Sequence, residues 1–226
     1  MGMDAAVRHS GESPRRPEPG RPIAAFDFDG TLTVRDSFNA FLTWRASTLR
    51  LVSGLTRLTP ALVGYAINRD RERLKTAAVA EYLKGLTRQA LEAEAEAFAE
   101  AHWPSLIRPD ALRTWEDWGR EGAWRVIVTA SPALTVAPFA RRLGADDLIG
   151  TRLAFDEADC VTGAFEGKNC RAAEKVCRLQ AAYGEEVRLK AAYGDSSGDI
   201  EMLELGEVTG MKVFRERPRR RGGGVA

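Results

Sequence analysis

Ile23-Ala24-Ala25-Phe26-Asp27-Phe28-Asp29-Gly30-Thr31-Leu32-Thr33 decides how this 226-residue chain is read. The apolar run 23–26 is short and broken at once by polar residues, the pattern of a buried parallel strand rather than a helix. Asp27 and Asp29 follow at i and i+2. Alternation along an extended chain sets both on one side and turns Phe28 away. At the C-terminal end of such a strand they face the crevice where open α/β sheets bind ligands. Two crowded carboxylates repel each other, and either a divalent cation or protonation of one acid relieves the conflict.

Working outward, the composition is that of an ordinary globular chain, 44% apolar and 29% charged, with a formal net charge of +1. A near-neutral balance supplies no global field for nucleic acid or an anionic membrane. Cys160, Cys170 and Cys177 are odd in number and lack C-x-x-C spacing, which argues against a disulfide framework or a zinc site. His9 and His102 are the two histidines, so histidine-based catalysis is poorly supplied. Residues 1–20 are polar, rich in Pro and Gly, and read as a disordered tail without the apolar core of a signal peptide. The expected location is cytoplasmic. Residues 216–226 read as a basic, glycine-rich tail that is solvated, with no clear nucleic-acid partner.

Between positions 36 and 120 no strand signal occurs. Asp36-Ser37 can cap a helix carrying Phe38, Phe41 and Leu42. Residues 49–68 are the most apolar stretch, but the uncharged part, 58–68, falls far short of the roughly 20 residues a membrane span needs. They read as two short helices split at Thr59-Pro60, packed in a bundle or presenting an interfacial surface to a greasy substrate or a lipid bilayer. Helical segments are expected at 71–84 and 87–101, with Pro104 and Pro109 marking the return to the core. Asp110 can cap a helix over 110–121 whose Leu112, Trp115 and Trp118 turn inward.

Trp124 to Val128 reads as a second buried strand ending in Thr129-Ala130-Ser131-Pro132, where a hydroxyl and the free N–H groups of a helix start make an anion site. A helix over 133–142, a hairpin within 151–165 and a helix over 171–183 follow, the last carrying Lys175. Leu189 to Tyr193 is a third strand, ending in Gly194-Asp195-Ser196-Ser197-Gly198-Asp199. Met211 to Phe214 reads as a last short strand. Each acidic or hydroxyl cluster thus follows a strand, so all can converge at one sheet edge.

The series strand-D-x-D-G-T, strand-T-A-S, an isolated lysine and strand-G-D-S-S-G-D resembles, in order, the four motifs of the haloacid dehalogenase superfamily. The resemblance covers roughly residues 21–214. The helical insertion after the first motif is similar to the cap of the phosphoserine phosphatase-like subfamily. It implies an α/β fold, a Rossmann-like parallel sheet with helices on both faces. A small all-helical cap (36–104) is inserted after the first strand of a core spanning 21–35 and 105–215. It also implies a phosphatase that hydrolyses a small phosphomonoester with Mg²⁺. Magnesium prefers oxygen ligands, and Asp27, the Asp29 carbonyl and Asp195 are the natural set, with Asp199 as outer ligand or orienter. Asp27 is the expected nucleophile, forming an aspartyl-phosphate, and Asp29 the general acid and base. Gly30, Thr31, Thr129, Ala130 and Ser131 form the expected phosphate-binding set, with Thr129 ahead of Ser131. Lys175 is expected to neutralise developing charge, and Lys168 is its competitor. Asp36 stands where phosphoserine phosphatases carry an acid for the substrate amine, and a helix N-cap is its other role.

Three alternatives stay open at this level. The apolar segment 49–68 is similar to that of phosphatases acting on phosphatidylglycerophosphate, which makes a lipid headgroup a second substrate class. A non-catalytic regulatory or nucleic-acid-binding protein would use the basic tail, but has no need of both Asp27 and Asp29. Dehalogenation would need neither Asp29 nor a metal.

Overall fold

A computed structural model describes residues 16–46, 54, 57–59 and 71–219. Its centre is β1 (Ile23–Phe26), buried along its whole length. β1 pairs in parallel with β2 (Trp124–Pro132) on one side and with β5 (Leu189–Gly194) on the other. With β3 (Asp147–Phe155), β4 (Val161–Glu166) and β6 (Gly206–Met211) it makes a six-stranded sheet in the order β4-β3-β2-β1-β5-β6. All pairs are parallel except β3 with β4.

The period-2 alternation of β1 divides the core. Ala24 and Phe26 face one apolar cluster with Ile127, Ala191 and Tyr193. Ile23 and Ala25 face a second cluster with Val126, Val128, Leu189 and Ala192. On the first face pack α1 (Ser37–Arg45), α2 (Arg71–Tyr82), α3 (Arg88–Leu106), α4 (Pro109–Arg120) and α5 (Ala133–Leu143). On the second pack α6 (Ala173–Tyr183) and α7 (Ile200–Leu203). Because the chain leaves β1 for β2 and later returns to its other side as β5, a topological switch point lies at the carboxyl ends of β1 and β5.

Between Ser37 and Leu106 the described residues form helices and no strand. Most of the 49–68 stretch lies outside the described residues; of the remainder, Leu58 is buried in the main core. Residues 1–15 of the N-terminal tail and 220–226 of the basic tail also lie outside the described residues. Among the described residues no helix is long and apolar enough to cross a membrane.

Several local expectations are corrected. Pro104 lies inside α3 rather than ending it. Pro109 is the first residue of α4 and Arg108 its N-cap, so Asp110 lies inside the first turn rather than capping it. The Asp110 carboxylate instead accepts from the N–H groups of Arg215 (2.6 Å) and Glu216 (2.9 Å), tying the C-terminal segment to α4. β3 begins at Asp147, ahead of the expected hairpin: its first half pairs with β2 and its second with β4. Gly150 interrupts that apolar run because the start of α5 leaves no room, an added Cβ meeting Ala133 Cα at 3.0 Å. The last strand is Gly206–Met211 rather than 211–214. Glu207, Val208 and Thr209 are exposed on an edge strand, so no buried apolar run announces it, and Phe214 folds back to pack on Tyr193 with tilted rings 5.3 Å apart.

Candidate active site

Asp27 continues the sheet for one residue, its N–H donating to the Tyr193 carbonyl at 2.8 Å, so its side chain is delivered at the switch point. A tight turn over Phe28–Leu32 follows, with Gly30 at φ +81°. Phe28 is fully buried against Phe139, which leaves Asp27 and Asp29 sharing the opposite side. Glycine is required at position 30 twice over. Its φ is left-handed, and a Cβ would lie 2.2 Å from Asp195 Oδ2.

Lys175 enters from the first turn of α6 and is 1% exposed. Its Nζ donates to Asp27 Oδ1, Asp199 Oδ1 and the Val128 carbonyl, each at 2.6 Å, which uses all three ammonium protons. Lys168 is exposed and does not compete. Asp199 is buried, and its second oxygen accepts from the N–H groups of Asp195 (3.2 Å) and Ser196 (2.9 Å) and from Ser196 Oγ (2.9 Å).

Two carboxylates pair with this ammonium, and a third, Asp195, stands beside them. Asp27, Asp195 and Asp199 each offer an oxygen within 4.8 Å of the others. Burial pushes Asp27 up to about 7, with Asp199 and Asp29 adding to the rise and Lys175 opposing it. Asp195 is also raised, by burial and then by Asp199. Burial would raise Asp199 too, but Lys175 and the Ser196 donors outweigh it and hold that group below the ordinary range. Burial works against the charge on Lys175, yet Asp27 and Asp199 hold its ammonium well above the usual lysine value. The residual excess of negative charge, the all-oxygen donor set and the missing Cβ at Gly30 fit a hard divalent cation such as Mg²⁺.

A cavity of about 630 Å³ opens above this cluster, lined by Asp27, Asp29, Gly30, Lys175, Asp195 and Asp199 from the sheet edge. Of the expected phosphate-binding residues, Gly30 and Ala130 line it, whereas Thr31, Thr129 and Ser131 lie buried beneath. Thr31 Oγ1 donates to Asp27 Oδ2 over a long 3.4 Å. Thr129 Oγ1 accepts from the Ser131 N–H at 3.0 Å, and Ser131 Oγ donates to Asp29 Oδ2 at 2.5 Å. Asp36 caps α1 by accepting from the Asn39 N–H at 2.7 Å, and it also lines the cavity. The residue is exposed at the rim, but its carboxylate points into confined space. Desolvation and then Asp29 raise it there.

Sequence reasoning missed the far wall. Lys75 reaches across from α2 to donate to the Ala130 carbonyl at 2.8 Å, and burial lowers its pKa. Arg108 and Arg171 also line the cavity. A lone lysine inside the run Leu74 to Val79 was the available signal for Lys75, and only the packing of α2 against β4 gives it meaning.

The haloacid dehalogenase-like hydrolase family model matches residues 24–204, and the chain belongs to that family. It is 54% identical, over 96% of both chains, to Protein CicA of Caulobacter vibrioides. A solved protein of unknown function from Bordetella pertussis Tohama I is similar at TM-score 0.66 and 26% identity, over 81% of this chain and 86% of that one. A phosphoserine phosphatase solved with bound substrate shares the fold at TM-score 0.58 and 20% identity, over 85% and 86%. The family and these neighbours define a hydrolase of phosphatase-like architecture, with an acidic cluster compatible with Mg²⁺.

Proposed function

We propose that the chain is a magnesium-dependent phosphomonoesterase working through an aspartyl-phosphate on Asp27, with residues 36–104 as its cap. The observation that carries this reading is Lys175 bridging Asp27 and Asp199 with Asp195 in reach of the same point. A carboxylate attacking a phosphate dianion meets repulsion of on the order of 4 kcal/mol per pair of unit charges at 4 Å and an effective dielectric of 20. Lys175 offsets part of it from one side. Mg²⁺, held by Asp27, the Asp29 carbonyl and Asp195, would supply the remaining positive charge between nucleophile and substrate. Asp199, with both oxygens already engaged, orients Lys175 and the 195–196 loop rather than ligating directly.

In the first step an Asp27 oxygen bonds to phosphorus, the bond from phosphorus to the leaving oxygen breaks, and Asp29 gives that oxygen a proton. In the second, Asp29 takes a proton from water, the water oxygen bonds to phosphorus, and the Asp27–phosphorus bond breaks to release phosphate. Gly30 and Ala130 line the cavity floor where the phosphoryl group would sit, with Thr129 and Thr31 buried below. Asp36 and Lys75 face the leaving group. Asp27→Asn, assayed on p-nitrophenyl phosphate with Mg²⁺, is expected to lose turnover by about a thousandfold or more while its circular dichroism is unchanged. Persisting turnover would remove Asp27 as nucleophile.

A further inference from the structure

The Asp29 carboxylate is gripped from two elements at once. Its Oδ1 accepts from the N–H of Ser37, the first residue of α1, at 2.6 Å, and its Oδ2 accepts from Ser131 Oγ at 2.5 Å. Ser131 is 0% exposed, does not line the cavity, and has no other partner for its hydroxyl among the described residues. A phosphate held by that hydroxyl would have to reach below the cavity floor. We infer that Ser131 is a positioning residue for the proton transfers of Asp29, not a phosphate ligand. This rests on the phosphomonoesterase reading above and deepens it.

The chemistry suits both halves of the reaction. A carboxyl group has about four lone-pair sites. Ser37 and Ser131 occupy one on each oxygen, which fixes the plane of the group and leaves the others to hold a proton and meet the leaving oxygen or water. A backbone N–H can only donate. The Ser131 hydroxyl can donate to the carboxylate or accept from the acid, so it holds Asp29 in either protonation state. Ser131 is itself placed by its N–H to Thr129 Oγ1, so the T-A-S segment works as a bracket from the end of β2 to the acid of β1.

The test separates the two half-reactions in the full chain. Phosphoryl transfer to Asp27 needs a proton donor when the leaving group is an alkoxide, and hardly any when it is p-nitrophenolate. Hydrolysis of the aspartyl-phosphate needs the base in both cases. Ser131→Ala is therefore expected to lower kcat/KM for an alkyl phosphate by at least about tenfold while kcat/KM for p-nitrophenyl phosphate stays within about threefold. With p-nitrophenyl phosphate the variant should also show a burst of close to one p-nitrophenol per site before slow turnover. Ser131→Thr, which restores the hydroxyl, should return both toward the parent. Equal losses on the two substrates without a burst, or no loss at all, would overturn the proposal. If Ser131→Ala does not fold by circular dichroism, Ser131→Cys, similar in size but a poor donor, carries the same expectations. A parent chain that turns over neither substrate with Mg²⁺ would instead sink the phosphomonoesterase reading itself.

Discussion

Replacing Lys175 by Met keeps the length of the side chain and removes its charge, and the structure sets the cost. The ammonium is buried and donates to two carboxylates and a carbonyl. Removing one partner of a buried ion pair costs about 3–5 kcal/mol, because the survivors keep their desolvation penalty. For a chain of this size that is about 6–20 °C in melting temperature. The sign with pH follows from Asp27, whose folded value of about 7 lies above the ordinary 3.8. Between those values the folded chain binds a proton that the unfolded chain releases. The contribution of Asp27 to stability is therefore lost as pH rises from 3.8 to 7, by on the order of 4 kcal/mol in metal-free parent protein. Without Lys175 the Asp27 value rises further, so the loss extends to higher pH and the variant should regain stability when pH is lowered from 7.5 to 5.5. Millimolar Mg²⁺ should raise the stability at pH 7.5 of parent and variant alike. Thermal and urea unfolding followed by circular dichroism, with and without Mg²⁺, measures all of this. A Lys175→Met protein that melts within about 2 °C of the parent at pH 7.5 without metal, with an unchanged pH slope, would refute the account of Lys175 as the compensating charge.

Two further variants probe the same cluster. Asp195→Asn, which removes a charge from a carboxylate with no hydrogen-bond donor among the described residues, should weaken Mg²⁺ binding by about tenfold or more in titration calorimetry, with the fold intact. Gly30→Ala forces a Cβ into the left-handed region and against Asp195 Oδ2. The backbone term alone should destabilise by about 1–2 kcal/mol, read from urea unfolding, and the displaced Asp195 should raise the Mg²⁺ requirement in the same protein.

The chemistry-bearing positions were legible because each cluster follows a strand, and a parallel strand delivers its last residue to a known edge. Asp27, Asp29, Asp195 and Asp199 needed only that local rule. So did Asp36 as the cap of α1, since an Asx cap is closed within three residues. Edge strand β6 and the early start of β3 were illegible for the opposite reason. Glu207 to Thr209 are exposed, and Gly150 answers to the approach of α5, so neither leaves an apolar run.

What the sequence by itself determined is the set of acids and their order, since covalent spacing and strand alternation act over a few residues. Which lysine meets them depends on how α6 lies against the sheet: it buries Lys175 and leaves Lys168 outside. The same holds for Ser131 reaching Asp29 and for Lys75 arriving from α2, contacts between residues 102 and 55 positions apart respectively. Such partners are chosen by packing of whole elements and by the need to satisfy every buried charge, conditions that exist only once the chain has closed on itself.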